Sequence, residues 1–313
     1  MASFSLQRIA RMSGSDLLQD LDLAHDELGC LLELAAEVKR SPREYAGALA
    51  GKSICLLFEK PSLRTRLTFE LAIRQLGGNS VLTEGPINGR EPLKDVARNL
   101  DRWVDAIVAR TFSQHTIEDL ARWSRVPVIN ALSDLYHPCQ ALADMLTLKE
   151  QFGRLRGLKL AFVGDGNNVA HSLMLSAARL GMDCRIATPK GYEPNGEIAA
   201  QAEGLAATSG CTLLFTNRPE KAVDGAHAVY TDVWASMGQE SEAAKRREVF
   251  RPYQVNETLF QLARPDAVFM HCLPAKRGEE VTDALIESPR SVVFEQAENR
   301  LHAQKALLLM MLS

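Results

Sequence analysis

Lys159-Leu160-Ala161-Phe162-Val163-Gly164-Asp165-Gly166-Asn167-Asn168 is an apolar run that ends in a turn of glycine, aspartate and asparagine. A helical pattern follows over 169–180 and a second apolar run over 184–188. Strand, tight turn, helix, strand is the unit of a parallel sheet, since parallel neighbours need a long crossover. The pattern continues outward in both directions. Toward the C-terminus, short apolar runs at 212–216, 228–231, 268–271 and 291–294 read as further strands, and 297–312 as a closing helix. Toward the N-terminus, residues 153–157 form a break with two glycines and two arginines. Before it, strands at 53–58, 106–109 and 128–130 alternate with helices at 63–76, 117–123 and 141–152. Leucines 17, 18, 21, 23, 28, 31, 32 and 34 read as an amphipathic helix starting after Ser15-Asp16. The fold class is therefore α/β, with two domains that each hold a central parallel sheet flanked by helices. The boundary falls near residue 150, and the active site is expected in the cleft between the domains.

Length agrees with that count, because 313 residues divide into about two domains of ordinary size. Hydrophobic residues make up 46% and charged residues 24%, which excludes disordered and fibrous classes. A net charge of -3 argues against generic binding to nucleic acid or a membrane surface. No apolar run reaches the length that spans a bilayer. The cysteines Cys30, Cys55, Cys139, Cys184, Cys211 and Cys272 form no CxxC pair, and reduced thiols in a cytoplasmic protein are expected. Residues 1–11 carry two arginines and no apolar leader segment, so no targeting sequence is expected there. Residues 83–92 hold glycine, proline and charge, and read as a surface loop.

Ligands of open parallel sheets collect beyond the carboxyl ends of the strands. Polar groups gather at those positions in both halves. In the first half they are Ser62-Leu63-Arg64-Thr65-Arg66, Arg110-Thr111 and Ser133-Asp134. In the second they are Gly164 to Asn168, 232–238 and His271-Cys272-Leu273-Pro274. Ser62 is placed to cap a helix whose first amides point beyond the strand. Those amides, the helix dipole, two hydroxyls and Arg64 make an anion site suited to phosphate. A capped helix with solvated arginines would look the same locally. Arg110 at another strand end and Arg300 by the final helix shift the balance, since arginines gathered in an acidic protein imply an anionic ligand.

Phe58-Glu59-Lys60-Pro61-Ser62-Leu63-Arg64-Thr65-Arg66 resembles the carbamoyl-phosphate motif of the aspartate and ornithine carbamoyltransferases, with Leu63 where that motif most often has Thr. His137-Pro138-Cys139-Gln140-Ala141-Leu142-Ala143-Asp144 is similar to the family's second motif. Asp232-Val233-Trp234-Ala235-Ser236-Met237-Gly238 and His271-Cys272-Leu273-Pro274 are similar to its ornithine-branch signatures, and Glu298-Asn299-Arg300 to a segment near its C-terminus. The matches run in order from about residue 5 to 312. The resemblance implies a carbamoyl-phosphate-binding domain over 1–150, joined by the last helix at about 297–313, and an ornithine-binding domain over 151–296. It implies that Ser62, Leu63 through its backbone, Arg64, Thr65, Arg110, His137, Gln140 and Arg300 hold carbamoyl phosphate. Asn168, Asp232, Ser236, Met237, Cys272 and Leu273 match ornithine-binding positions. Arg64, Arg110, His137 and Cys272 are the expected catalytic residues. The resemblance also implies a homotrimer with a site at the subunit boundary, and a lid closed by Met237-Gly238.

The activity so implied is transfer of a carbamoyl group from carbamoyl phosphate to the side-chain amine of L-ornithine, giving citrulline and phosphate. Such a reaction needs no cofactor. Preorganised donors at the carbonyl oxygen and the leaving phosphate stabilise its transition state, and alignment of the reactants supplies much of the rest. His137-x-Cys139 and His271-Cys272 fit no common zinc spacing, and no metal is expected. Three other readings remain open. One is a carbamoyltransferase for N-acetylornithine or another amine. One is a dehydrogenase, because Gly164-x-Gly166 follows a strand, although Val169 stands where a third glycine would complete the dinucleotide motif. The last is a catalytically inactive regulatory homologue.

Overall fold

The computed structural model describes residues 14–87, 89–235 and 240–312. The chain divides into two compact units, residues 1–146 with 298–313, and residues 147–297.

The first unit is built on a four-stranded parallel sheet of order β2-β1-β3-β4. Its strands are β1 (Ser53–Phe58), β2 (Asn79–Glu84), β3 (Ala106–Arg110) and β4 (Val128–Leu132). The helices are α1 (His25–Arg40), α2 (Leu63–Gln75), α3 (Leu93–Leu100), α4 (Gln114–Trp123) and α5 (Pro138–Phe152). β1 and β3 are apolar along almost their whole length because helices cover both faces of a parallel sheet. Cys55, Leu57, Ile107, Ala109, Ile117, Leu120 and Val128 pack one layer of core. Each fully buried aliphatic side chain there contributes about 1.5–3 kcal/mol relative to exposure. The N-terminal leucines divide differently from the sequence expectation. Leu17 is fully buried and forms a parallel bridge to Ile129, and the helix begins only at His25. Leucine favours either setting, so spacing alone did not separate them.

The second unit carries a five-stranded parallel sheet of order β7-β6-β5-β8-β9. Its strands are β5 (Lys159–Val163), β6 (Asp183–Ala187), β7 (Leu213–Thr216), β8 (Ala228–Thr231) and β9 (Val268–His271). α6 (Asn168–Arg179), α7 (Gly196–Ser209), α8 (Pro219–Val223), α9 (Ala243–Phe250), α10 (Glu257–Phe260) and α11 (Asp283–Ile286) follow in chain order, and α12 (Val293–Leu312) starts here but belongs to the first unit from residue 298 on. The apolar run at 291–294 is not a strand. Ser291 makes one isolated bridge to Phe269, and α12 begins at Val293. The core gathers Val163, Val229, Trp234, Phe250, Phe260 and Phe269.

Each sheet reverses its winding once. In the first, β1 leads outward to β2 and the chain returns to β3 on the other side, so the switch lies between β1 and β3. In the second, it lies between β5 and β8. Beyond a switch point the two outgoing loops diverge and leave a crevice, which is where such sheets bind ligands.

Candidate active site

At the first switch point, Ser62 caps α2 in an extended conformation (φ -155°), and its side chain accepts from the Thr65 N–H at 3.3 Å. The start of α2 therefore presents amides and a positive dipole end just past β1. Leu63 is 70% exposed, so any part it takes in holding an anion is through its backbone. Arg110 ends β3. The register there slips from Ala109 opposite Asn130 to Arg110 opposite Leu132, leaving one extra residue on β4. A bulge of this kind turns a side chain out of the ladder pattern. Arg110 Nη1 donates to Thr65 Oγ1 at 3.4 Å, across the switch point.

Arg300, on α12, completes the cluster. Its Nη2 donates to the same Thr65 oxygen at 2.8 Å, and its Nη1 donates to Gln140 Oε1 at 3.0 Å. Gln140 lies in the first turn of α5, and its Nε2 donates to Asp144 Oδ1 at 2.8 Å. Thr65, Arg110, His137, Gln140 and Arg300 are all buried. Two guanidiniums so placed repel by about 1–4 kcal/mol, depending on how far water screens them. An anion between them relieves that cost. His137 responds to the same field. Burial first, then the charges of Arg300 and Arg110, push its pKa well below the usual 6.5, so the imidazole is neutral at pH 7.

The second switch point carries the opposite charge. Asn167 caps α6 by accepting from the N–H groups of Val169 and Ala170, at 3.0 and 3.2 Å. Its Nδ2 then donates to Asp232 Oδ2 at 2.8 Å, past the end of β8. Asp232 Oδ1 receives the Cys272 thiol at 3.0 Å from beyond β9. Leu273 follows in a left-handed conformation (φ 56°), which a non-glycine residue adopts only under tertiary constraint. Its N–H donates to His271 Nδ1 at 2.8 Å. That nitrogen therefore bears no proton, and Nε2–H faces buried Glu280 at 3.2 Å. Donor atoms of Asp232, His271 and Cys272 lie within 4.8 Å of one another. Both imidazole nitrogens are already engaged, so a metal bound there would break one of those bonds. Asp165, next to this group, pairs with Arg246 at 2.9 Å, and burial pushes its pKa up to about 6.

The glycine turn has a packing explanation. A Cβ on Gly166 would lie 2.3 Å from the backbone nitrogen of Pro194, so the residue is glycine for close approach of the 192–194 loop.

Hydrogen bonds thus connect Ser62, Thr65, Arg110, Gln140 and Arg300 in one unit, with His137 in their field and Arg64 within the capped turn. In the other they connect Asp232 and Cys272, with Leu273 adjacent. Asn168 opens α6, but the side chain that reaches Asp232 belongs to its neighbour Asn167. Ser236 and Met237 lie outside the described residues, as do residues 1–13. The sequence reading passed over Asn167, Asp144, Arg246 and Glu280 as individual residues. Only Asp144 had a readable signal, its spacing of four from Gln140 on one helix.

Comparison with known proteins gives this geometry a class. Residues 15–150 match the carbamoyl-P binding domain of aspartate/ornithine carbamoyltransferases, and residues 156–311 the Asp/Orn binding domain. An ornithine carbamoyltransferase of Anoxybacillus flavithermus is 51% identical, over 96% of this chain and 98% of the relative. The solved ornithine carbamoyltransferase of Pyrococcus furiosus superposes with a TM-score of 0.94 at 50% identity, covering 96% of this chain and 98% of that one. A solved N-acetyl-L-ornithine transcarbamylase gives 0.86 at 34% identity, over 95% and 99%. Identity of about half the residues over nearly the whole length of both chains makes this a group-transfer enzyme. The chain belongs to the aspartate/ornithine carbamoyltransferase family.

Proposed function

We propose that this protein transfers the carbamoyl group of carbamoyl phosphate to the side-chain amine of L-ornithine, giving L-citrulline and phosphate. The observation that carries the donor half is the convergence of Arg110 and Arg300 on Thr65 at the capped start of α2. In this reading Ser62, the Leu63 backbone, Arg64, Thr65 and Arg300 hold the phosphate, while Arg110, His137 and Gln140 address the carbamoyl end. Neutral His137 can donate to the carbonyl oxygen without adding a third positive charge. Asn168, Asp232, Ser236, Met237, Cys272 and Leu273 receive ornithine, and Asp232 supplies the negative charge that its α-ammonium group needs.

The reaction requires the two substrates to meet. The amine nitrogen must be uncharged to attack. A free alkylamine has a pKa of about 10.4, and desolvation beside a cationic site favours its neutral form. Its lone pair forms the C–N bond as the C–O bond to phosphate breaks, and the departing phosphate is the ready acceptor for the displaced proton. Arg64 and Arg110 stabilise the leaving group, and Cys272 orients the amine. Each step uses electrostatics and alignment, with no covalent intermediate.

The same reading makes the protein a cytoplasmic homotrimer. Leu63, Leu67, Leu71 and Val81 are all exposed, the leucines one turn apart along α2. A stripe of this kind supports association with further copies. Among the described residues, no helix is long and apolar enough to cross a membrane. N-acetylornithine is the second acceptor to consider, given the 34% identical relative. A citrulline assay with ornithine, N-acetylornithine, lysine and aspartate as acceptors tests the proposal. Turnover with ornithine is expected; turnover confined to the acetylated amine would overturn the acceptor assignment. Sedimentation of an active monomer would overturn the trimer.

A further inference from the structure

Gln140 has an amide whose two ends do opposite things, and its neighbours fix which end faces the phosphate site. A guanidinium can only donate, so the atom 3.0 Å from Arg300 Nη1 is the acceptor Oε1. That leaves Nε2 on the far side, where it donates to Asp144 Oδ1 at 2.8 Å. Both contacts require the same orientation, so it follows from the chemistry of the partners, with no ambiguity between look-alike atoms. Gln140 and Asp144 stand one turn apart on α5, and both are within 1% of full burial.

We propose that Asp144 is a positioning residue that sets donor specificity. By occupying Gln140 Nε2 it keeps Oε1 turned toward Arg300 and the phosphate site, so that the site selects an acyl phosphate bearing an N–H group. The inference rests on the carbamoyl-transfer reading. Oε1 has two lone pairs, one taken by Arg300 and one left for a substrate donor. The NH2 of carbamoyl phosphate can fill it. The methyl group of acetyl phosphate, alike in size and in its phosphate and carbonyl groups, cannot. It leaves a buried acceptor short of a partner, a loss that rejects such analogues far more strongly than shape does. Asp144 thus acts through Gln140, on the part of the ligand that distinguishes a carbamoyl from an acyl group. Its hold on the phosphate is weaker, through the one Gln140–Arg300 bond, because the α2 turn, Arg64 and the Thr65 contact of Arg300 stay in place without Gln140.

The test compares ligands within one variant. Asp144→Leu keeps the shape of the side chain and removes its acceptors. Calorimetric affinities for carbamoyl phosphate, acetyl phosphate and inorganic phosphate are measured on the full-length protein, alongside the KM for carbamoyl phosphate. Affinity for carbamoyl phosphate is expected to fall about tenfold or more, the worth of one buried hydrogen bond, while the other two change by less than about threefold. A parallel loss for all three ligands would mark Asp144 as merely structural and overturn the proposal, as would an unchanged carbamoyl phosphate affinity. Asp144→Asn retains one acceptor oxygen and is expected to fall between the wild type and the leucine variant. If the leucine variant does not fold, by circular dichroism, Asp144→Ala, which also removes both acceptors, decides: a carbamoyl-to-acetyl affinity ratio equal to wild type overturns the inference. Wild-type protein that binds carbamoyl phosphate yet carbamoylates no amine would sink the transfer reading alone, and the affinity ratios would still decide Asp144.

Discussion

At the first switch point, Thr65 Oγ1 receives two guanidiniums, whereas at the second, Asp232 receives an amide and a thiol. The two crevices arise from the same topology, a parallel sheet that reverses its winding once. Both depend on a capping side chain at the helix that leaves the first central strand, Ser62 in one unit and Asn167 in the other. What differs is the sign of the charge placed opposite the cap. Topology decides where a ligand can sit, and the strand-end side chains decide what it can be. The first crevice suits an anion and the second an ammonium group, within a chain whose net charge is only -3.

The largest expected effect falls on the cationic crevice. Arg64→Ala should cut citrulline formation by about 10²–10³-fold, the usual loss when one preorganised donor to a transition-state anion is removed. Arg64 is half-buried in the first turn of α2, so the thermal melt should stay close to wild type. Near-normal turnover would detach the α2 turn from phosphate binding and leave the charge contrast without function.

A smaller and more selective effect is expected on the other side. Cys272→Ala removes the thiol that donates to Asp232 at 3.0 Å. Loss of a hydrogen bond to a carboxylate is worth about 1.5–3 kcal/mol, so the KM for ornithine should rise about tenfold or more. The affinity for carbamoyl phosphate should hold, because the variant leaves the first unit untouched. Steady-state kinetics with each substrate varied in turn would show the split. Equal losses for both substrates would erase the division of labour between the crevices.

How much of this contrast could be read in advance depended on whether a residue's job is local. β1, β5, β8 and β9 occupy the apolar runs that announced them, because a strand buried on both faces must be apolar throughout. β2 went unread for the converse reason. It is an edge strand whose residues are almost all exposed, so the apolar signal of Asn79–Glu84 shrinks to the pair Val81-Leu82. Val292, Val293 and Phe294 read as strand but lead into α12, where burial in a long helix satisfies the same residues. In the site, the motifs located Thr65, Gln140 and Asp232. They could not reveal that Asn167, and not Asn168, makes the bond to Asp232, nor that Asp144 orients Gln140. Those facts depend on which atom of an amide faces which neighbour, and only the three-dimensional arrangement sets that.

The smallest expected effect is on stability, and it should have opposite signs in the two crevices. Buried His137 resists protonation, whereas an unfolded histidine takes a proton near 6.5. Below that pH the unfolded chain binds a proton that the folded chain refuses, so this group's contribution falls as pH drops through about 6.5. Asp165 works the other way. Desolvation outweighs Arg246 and raises its pKa from 3.8 to about 6. Between those values the folded chain keeps a proton that the unfolded chain releases, so this group's contribution falls as pH rises. Urea unfolding midpoints measured at about pH 4.5, 5.5, 6.5 and 7.5 would separate the two. His137→Asn should lose less stability than wild type on going from the highest pH to about 5.5. Asp165→Asn, though less stable overall for want of its Arg246 pair, should lose less than wild type on going up from the lowest. Because the windows overlap and the slopes oppose, wild type should show a shallower pH dependence than either group alone would give. Slopes in both variants parallel to wild type would mean that neither group's burial is felt in folding.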